Sequence, residues 1–178
     1  MSTKVITGKV RFSYVNVWEP KSVNGSDPKY SVSLIIPKSD KETLKKIKAA
    51  IEIAKKEGLA KLGGKIPANL KTPLRDGDTD RSDDEAYADS YFVNANCFIK
   101  PGIVDKNVEP ILDPTEFYSG CYGRASIIFY AYNVNGNKGI AAGLQNLQKL
   151  EDGEPLGGRS KPEDDFELLA DDALDILE

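Results

Sequence analysis

A mainly β chain is expected here: a small closed barrel with one well-formed α-helix, an acidic loop and an acidic C-terminal tail. Three observations lead to it. Several segments alternate apolar and polar residues with period two, as half-buried strands do. A single segment shows helical spacing with both of its ends marked. The acidic residues gather in two blocks instead of spreading along the 178 residues.

Residues 4–18 read as one long strand, with Ile6, Gly8, Val10, Phe12, Tyr14, Asn16 and Trp18 on one face. Val5, Thr7, Lys9, Arg11, Ser13, Val15 and Val17 form the other. Gly8 supplies the bend that a long first strand needs to serve both halves of a barrel. Residues 19–28 are dense in turn formers. A second strand follows, Tyr30, Val32, Leu34 and Ile36 alternating with Ser31, Ser33 and Ile35, until Pro37 ends it. Ser39-Asp40-Lys41-Glu42 then reads as a capping box with Ser39 as the cap. Leu44, Ile47, Ile51 and Ala54 fall on one helical face, and Gly58 closes the helix after Lys55 and Lys56.

Residues 58–90 are poor in periodicity. Alternation resumes over 91–100, where Tyr91, Val93, Ala95, Cys97 and Ile99 oppose Phe92, Asn94, Asn96, Phe98 and Lys100. Pro101-Gly102 turns the chain, and 103–117 read as irregular. From 122 to 132, Gly123, Ala125, Ile127, Phe129 and Ala131 make a small or apolar face suited to a barrel interior. Tyr122, Arg124, Ser126, Ile128, Tyr130 and Tyr132 lie opposite. Asn135-Gly136 marks a hairpin, and Ile140 to Leu150 returns as the antiparallel partner with a bulge before Leu147. Strands joined by turns, with one helix between them, fit an OB-type barrel over residues 1–162, followed by the tail 163–178.

The net charge of −4 hides an asymmetry. Residues 163–178 hold eight acids, among them Asp164, Asp165, Asp171 and Asp172, and no base; Arg75 to Asp89 holds seven acids and two bases. With both blocks set aside, 22 bases face 13 acids, so the body carries +9. Such segregation points to an electrostatic partner. The chain has no histidine, which removes the commonest acid–base catalyst and metal ligand. Cys97 and Cys121 lack metal-ligand spacing and read as buried free thiols of a reducing cytosol. With no leader and no long apolar run, a cytoplasmic protein without membrane contact is expected. Gly63-Gly64-Lys65 misses the phosphate-loop spacing, and Ile66 stands where that motif needs a hydroxyl. Asp76 to Asp80 resembles a calcium loop, but Arg81 and Tyr87 occupy its essential glycine and glutamate positions.

A cation beside flat aromatic rings is what a sequence-tolerant single-strand platform needs, charge meeting phosphate and rings stacking on bases. The two outward strand faces supply that chemistry. Lys9, Arg11, Lys100 and Arg124 are assigned to phosphates, and Phe92, Phe98 and Tyr122 to bases. Asn94 is assigned to phosphate or base edges, and Trp18 to the groove's edge, with a core position as its alternative. No catalytic residue, cofactor or metal belongs to this reading. Two others stand beside it: a metal-dependent nuclease using Asp78, Asp80, Asp83, Asp84 and Glu85, and a non-enzymatic protein-interaction barrel.

Longer motifs point the same way. These are Thr72-Pro73-Leu74-Arg75-Asp76-Gly77-Asp78, Tyr91-Phe92-Val93-Asn94-Ala95-Asn96, Pro110-Ile111-Leu112-Asp113-Pro114 and Tyr118-Ser119-Gly120-Cys121-Tyr122-Gly123-Arg124-Ala125. They continue through Asn135-Gly136-Asn137-Lys138-Gly139-Ile140 and Leu156-Gly157-Gly158-Arg159-Ser160. Together they resemble the bacteriophage single-stranded DNA-binding proteins over nearly all of residues 5–166. The resemblance implies an OB fold, binding of single-stranded DNA without sequence preference, and work in phage replication, recombination or repair. More distantly, the chain is similar to phage and bacterial single-strand binders with acidic tails. Its own tail departs from the bacterial pattern by ending Ile176-Leu177-Glu178 without an aromatic. Phe166, Leu169, Ala173 and Leu177 fall near one helical face, with Ser160, Pro162 and Glu163 as its start. The tail residues Asp164, Asp165, Phe166, Asp171 and Asp172 are expected to compete with DNA for the basic groove and to recruit replication or recombination proteins.

Overall fold

The hairpin that closes the barrel is the simplest place to see sequence become structure. The computed structural model describes residues 2–22, 25–156 and 166–167. β7 (Tyr122–Val134) and β8 (Asn137–Glu151) are joined by Asn135 and Gly136, at φ +52° and +86°. Two consecutive left-handed residues match the twist of the flanking strands, and Asn-Gly adopts them at least cost. Ser126 faces Asn146 while Ile127 faces Leu144, so Gln145 is the extra residue of a bulge where one was expected before Leu147.

The remaining strands are β1 (Lys4–Ile6), β2 (Val10–Lys21), β3 (Lys29–Pro37), β4 (Leu74–Asp76), β5 (Ser90–Cys97) and β6 (Gly102–Val104). β7, β2, β3, β5 and β8 follow one another round the sheet, and the β7–β8 pairing closes it into a barrel. All neighbours in that ring are antiparallel except β5 and β8, which run parallel through Ala95↔Ala142. This is the five-stranded OB arrangement. Phe12, Leu34, Ile36, Val93, Ala95, Ala125, Ile127, Phe129 and Leu147 fill its interior, as the alternation of β3, β5 and β7 requires.

The first strand differs from its expected form in two places. It breaks at Thr7–Lys9 into β1 and β2. Gly8 donates its amide to the Thr43 hydroxyl at 2.9 Å, and a Cβ at Gly8 would meet the Asp40 carboxylate at 2.8 Å. The break is therefore held against the N-terminus of the helix. Further along, Ser13 faces Ser33 but Asn16 faces Ser31, so β2 bulges at Tyr14 and Val15. Tyr14 sits at φ +47°, and the Val15 amide freed by the bulge donates to Ser119 Oγ at 3.0 Å. The bulge inverts the alternation: Val10 and Phe12 point inward before it, Val17 after it, and Tyr14 turns outward.

α1 (Lys41–Glu57) covers one end of the barrel with Leu44, Ile47, Ile51 and Ala54. Its cap is Asp40, whose carboxylate accepts from Thr43 N at 3.2 Å, and not Ser39. A carboxylate also favours the positive end of the helix dipole, which a serine hydroxyl does only weakly.

The acidic loop is structured. It contains β4, a helical turn α2 (Gly77–Asp80) and a 3-10 turn Glu85–Tyr87. Tyr87 is fully buried against Ile35 and Phe92 on the outside of the barrel, where its hydroxyl and that of Ser33 are hydrogen-bonded at 2.9 Å. Its ring meets Phe92 edge-on, centroids 5.0 Å apart. Part of the outer barrel wall is thus an interior, covered by the loop and by Leu156.

Candidate nucleic-acid interface

Four of the loop's seven acids, Asp76, Asp78, Asp80 and Asp84, are occupied by structure. Asp76 caps α2, and Asp84 accepts from Ala86 N at 3.1 Å. Lys38 bridges Asp76 and Asp78 at 3.0 and 2.7 Å, and Arg75 holds Asp80 at 3.0 Å. Hydrogen bonds from the Lys38 ammonium and then the Asp89 amide hold the Asp78 carboxyl below its usual range. Among the described residues no three His, Cys, Asp or Glu side chains converge as a metal group. Cys121 is buried and Cys97 half-buried; both are free thiols, raised in pKa by burial. No helix among the described residues is long and apolar enough to cross a membrane.

The residues assigned to DNA from the sequence fall into two groups on the outer wall. The first surrounds Tyr122, which pairs with Arg11 across β7 and β2. Lys9 and Arg11 lie over its ring at 5.1 and 5.3 Å. Much of their hydrogen-bonding capacity is used locally. Lys9 is ion-paired with Glu151, and Arg11 donates to the carbonyls of Gly120 and Glu154 at 3.0 and 2.6 Å. Arg124, exposed, donates through Nε to the Thr7 carbonyl at 2.9 Å.

The second group lies just past the C-terminal end of β5 and at the facing ends of β2 and β3. Phe98 is 64% exposed, with Lys29 over its ring at 5.0 Å. Lys21 pairs with Lys29 across β2 and β3. Lys100 sits 5.2 Å from the Trp18 ring. Trp18 combines both readings, half-buried against the core while its indole N–H donates to the Phe117 carbonyl at 2.9 Å.

Phe92 is corrected. It points out of the barrel, as alternation demands, yet it is 0% exposed beneath Tyr87 and cannot meet a base. The loop that hides it delivers a residue the sequence reading missed. Arg81 lies 5.5 Å from the Phe92 ring, 5.9 Å from Tyr87 and 5.7 Å from Tyr14. Its Nε is buried with no hydrogen-bond partner. Tyr14, also missed, is 56% exposed at the crest of the β2 bulge. A hollow of about 240 Å³ opens beside this pair, lined by Tyr14, Ser31, Val32, Ser33, Arg81 and Asn94. On the other side of Tyr14 a larger hollow of about 490 Å³ reaches Ser13, Asn16, Lys21 and Ser119.

The outer face of β3 and β5 therefore presents one hydroxyl and two amides, Ser31, Asn94 and Asn96. Ser31 is paired with Asn96, and Asn94 with Ser33, which is buried under Tyr87; the exposed set is flanked by the Tyr14–Arg81 stack and by Lys21, Lys29 and Phe98. In an OB barrel the second and third barrel strands in chain order form the face that binds oligonucleotides. Here those strands are β3 and β5. The tail residues Asp164, Asp165, Asp171 and Asp172 lie outside the described residues, as does the boundary at 162/163; Phe166 is described and exposed.

Comparison with known proteins agrees with the fold. The model of a family described as the ssDNA-binding protein of Enterobacter phage Enc34 matches residues 3–177. Protein p50 of Acyrthosiphon pisum secondary endosymbiont phage 1 is 34% identical over 163 residues, covering 87% of each chain. The Enc34 single-stranded DNA-binding protein, solved in complex with ssDNA, superposes with a TM-score of 0.78 at 28% identity. That match covers 87% of this chain and 90% of the other. The gp2.5 single-stranded DNA-binding protein of bacteriophage T7 shares the fold at TM-score 0.58 and 17% identity, over 93% of both chains.

Proposed function

The chain belongs to the single-stranded DNA-binding protein family of Enterobacter phage Enc34, and from that membership we propose that it binds single-stranded DNA on the outer face of β3 and β5. It does so without sequence preference and without catalysis, in phage DNA replication, recombination or repair in the host cytoplasm. The observation that carries the proposal is the Tyr14–Arg81 stack beside Ser31 and Asn94. A base stacks on the exposed Tyr14 ring, and a phosphate meets the guanidinium. Hydroxyls and amides hydrogen-bond the backbone or any base edge, so no sequence is selected. Lys21, Lys29, Phe98, Lys100 and Trp18 continue the track toward one end of the sheet, and Lys9, Arg11, Tyr122 and Arg124 form its basic flank. The acidic tail competes with DNA for these cations and offers a docking segment to replication or recombination proteins.

Oligo-dT titration followed through the single tryptophan tests this reading, because Trp18 lies on the track. Wild-type protein is expected to show a fluorescence change with a steep salt slope. Tyr14→Ala, by removing one stacked base, is expected to weaken binding by about 1–3 kcal/mol. Full-affinity binding by a Tyr14→Ala, Arg81→Ala double variant would move the interface elsewhere.

A further inference from the structure

The helix α1 shows two kinds of lysine. Lys46 and Lys55 are paired along the helix with Glu42 and Glu52, at 3.6 and 2.9 Å. That is how a solvated helix face ordinarily balances its charge. Lys41, Lys45 and Lys48 stand at i, i+4 and i+7, which places them on one face. Their ammonium groups make no ion pair or hydrogen bond among the described residues. Together with Lys38 and Leu44 they line a concave site of about 410 Å³ around the partly exposed ring of Tyr91. Lys38 and Lys48 lie 5.2 and 5.8 Å from the centre of that ring.

An aromatic ring in a hollow shared with the unpaired ammonium groups of Lys41, Lys45 and Lys48 has the composition of a single-strand platform: a π surface for a base and cations for the flanking phosphates. Tyr91 is three residues before Asn94 on β5, about 10 Å along the strand; the odd step puts it on the other side of the sheet, against the barrel core, so a strand reaches it from the sheet face by rounding the end of the wall. Asp76 and Asp78, the acids that would repel a strand leaving the sheet face, are both bound to Lys38.

We propose that α1 carries a second, accessory subsite for single-stranded nucleic acid, in which Lys41, Lys45 and Lys48 hold phosphates and Tyr91 meets a base. This rests on the sheet-face reading above and extends the strand's path off β5 onto the helix. Short strands occupy the sheet face alone, and longer ones also engage the helix. An acidic protein segment is the competing occupant of the same charges, but it offers nothing to the Tyr91 ring that a base does not offer better.

The test uses the full chain and a triple variant, Lys41→Ala, Lys45→Ala and Lys48→Ala. All three side chains are exposed, and alanine is the best helix former, so the helix is retained. Binding is measured across a salt series with oligo-dT of about 8 and about 30 nucleotides, sizes within and beyond the 4–16 an OB fold covers. The expected result is an unchanged slope with the short strand. With the long strand the slope of log K against log salt falls by about 2, each phosphate contact contributing roughly 0.7. An unchanged long-strand slope, with wild-type protein binding normally, overturns the accessory subsite and leaves the sheet-face reading standing. Wild-type protein that binds neither strand overturns both. A triple variant with an unchanged DNA slope that no longer retains a peptide of residues 163–178 assigns the lysines to an acidic protein segment, and the proposal falls.

Discussion

Phe92 and Phe98 are the sharpest pair of perturbations, because the strand pattern treats them alike and the structure does not. Phe92 is wholly buried with Tyr87 and Ile35, while Phe98 is 64% exposed beneath Lys29. Removing a buried phenyl ring costs about 3–5 kcal/mol through lost transfer energy and the cavity left behind. The edge-on contact with Tyr87 adds about 0.5–1.5 kcal/mol. For a chain of this size each kcal/mol lowers the melting temperature by about 2–4 °C, so Phe92→Ala is expected to lose roughly 6 °C or more. Phe98→Ala removes a surface ring and is expected to leave the melting temperature within about 2 °C, a surface change staying near ±0.5 kcal/mol. Affinity then separates them in the opposite sense. Phe98→Ala weakens oligo-dT binding by the about 1–3 kcal/mol of one stacked base. Phe92→Leu, which keeps the wall filled, binds close to wild type when both are titrated well below their melting points. Thermal melts followed by circular dichroism, with tryptophan-detected titrations, give both numbers. A Phe92→Leu protein that melts normally but loses the affinity of a stacked base would refute the burial argument.

Two further outcomes follow from the charges. Asp78 titrates below its ordinary value of 3.8, through Lys38 first and the Asp89 amide second. A depressed folded-state pKa stabilises the fold above the unfolded value and loses that contribution as pH falls through the folded one. Wild-type melting temperatures should therefore drop more steeply below pH 3.8 than those of Asp78→Asn, with the two curves running parallel above it. Deleting residues 163–178 removes eight acids and no base, and is expected to tighten oligo-dT binding most strongly at low salt, where screening is weakest; equal affinity with and without the tail would show that the tail does not compete.

Much of the barrel was legible in the sequence because its interior obeys a period-two rule. β3, β5 and β7 present Val32, Leu34, Ile36, Val93, Ala95, Ala125, Ile127 and Phe129 inward as their alternation assigns, while β5 ends at Cys97 and leaves Ile99, expected on the same face, exposed. The helix, the Asn135-Gly136 hairpin and the bulge before Leu147 carry local signals, and local signals survive folding. What failed was non-local. The alternation correctly turned Phe92 away from the barrel interior, but it says only which side of a sheet a residue takes, not what lies on that side. The cover comes from Tyr87, in a stretch with no periodicity, tied to Ser33 across 54 positions. Tyr14 was legible in hindsight. Apolar residues switch from even positions, Val10 and Phe12, to odd ones, Val15 and Val17, and a change of parity within one strand is what a bulge produces. Arg81 had no such signal, since one of two bases among seven acids reads as charge balance. Its position depends on the loop folding back over the wall, so the acidic block carries a cation of the proposed interface. The same loop buries an aromatic that would otherwise be exposed and brings an arginine to the face where a strand would lie. Loosening Tyr87 should therefore cost DNA affinity as well as stability, although Tyr87 itself touches no DNA.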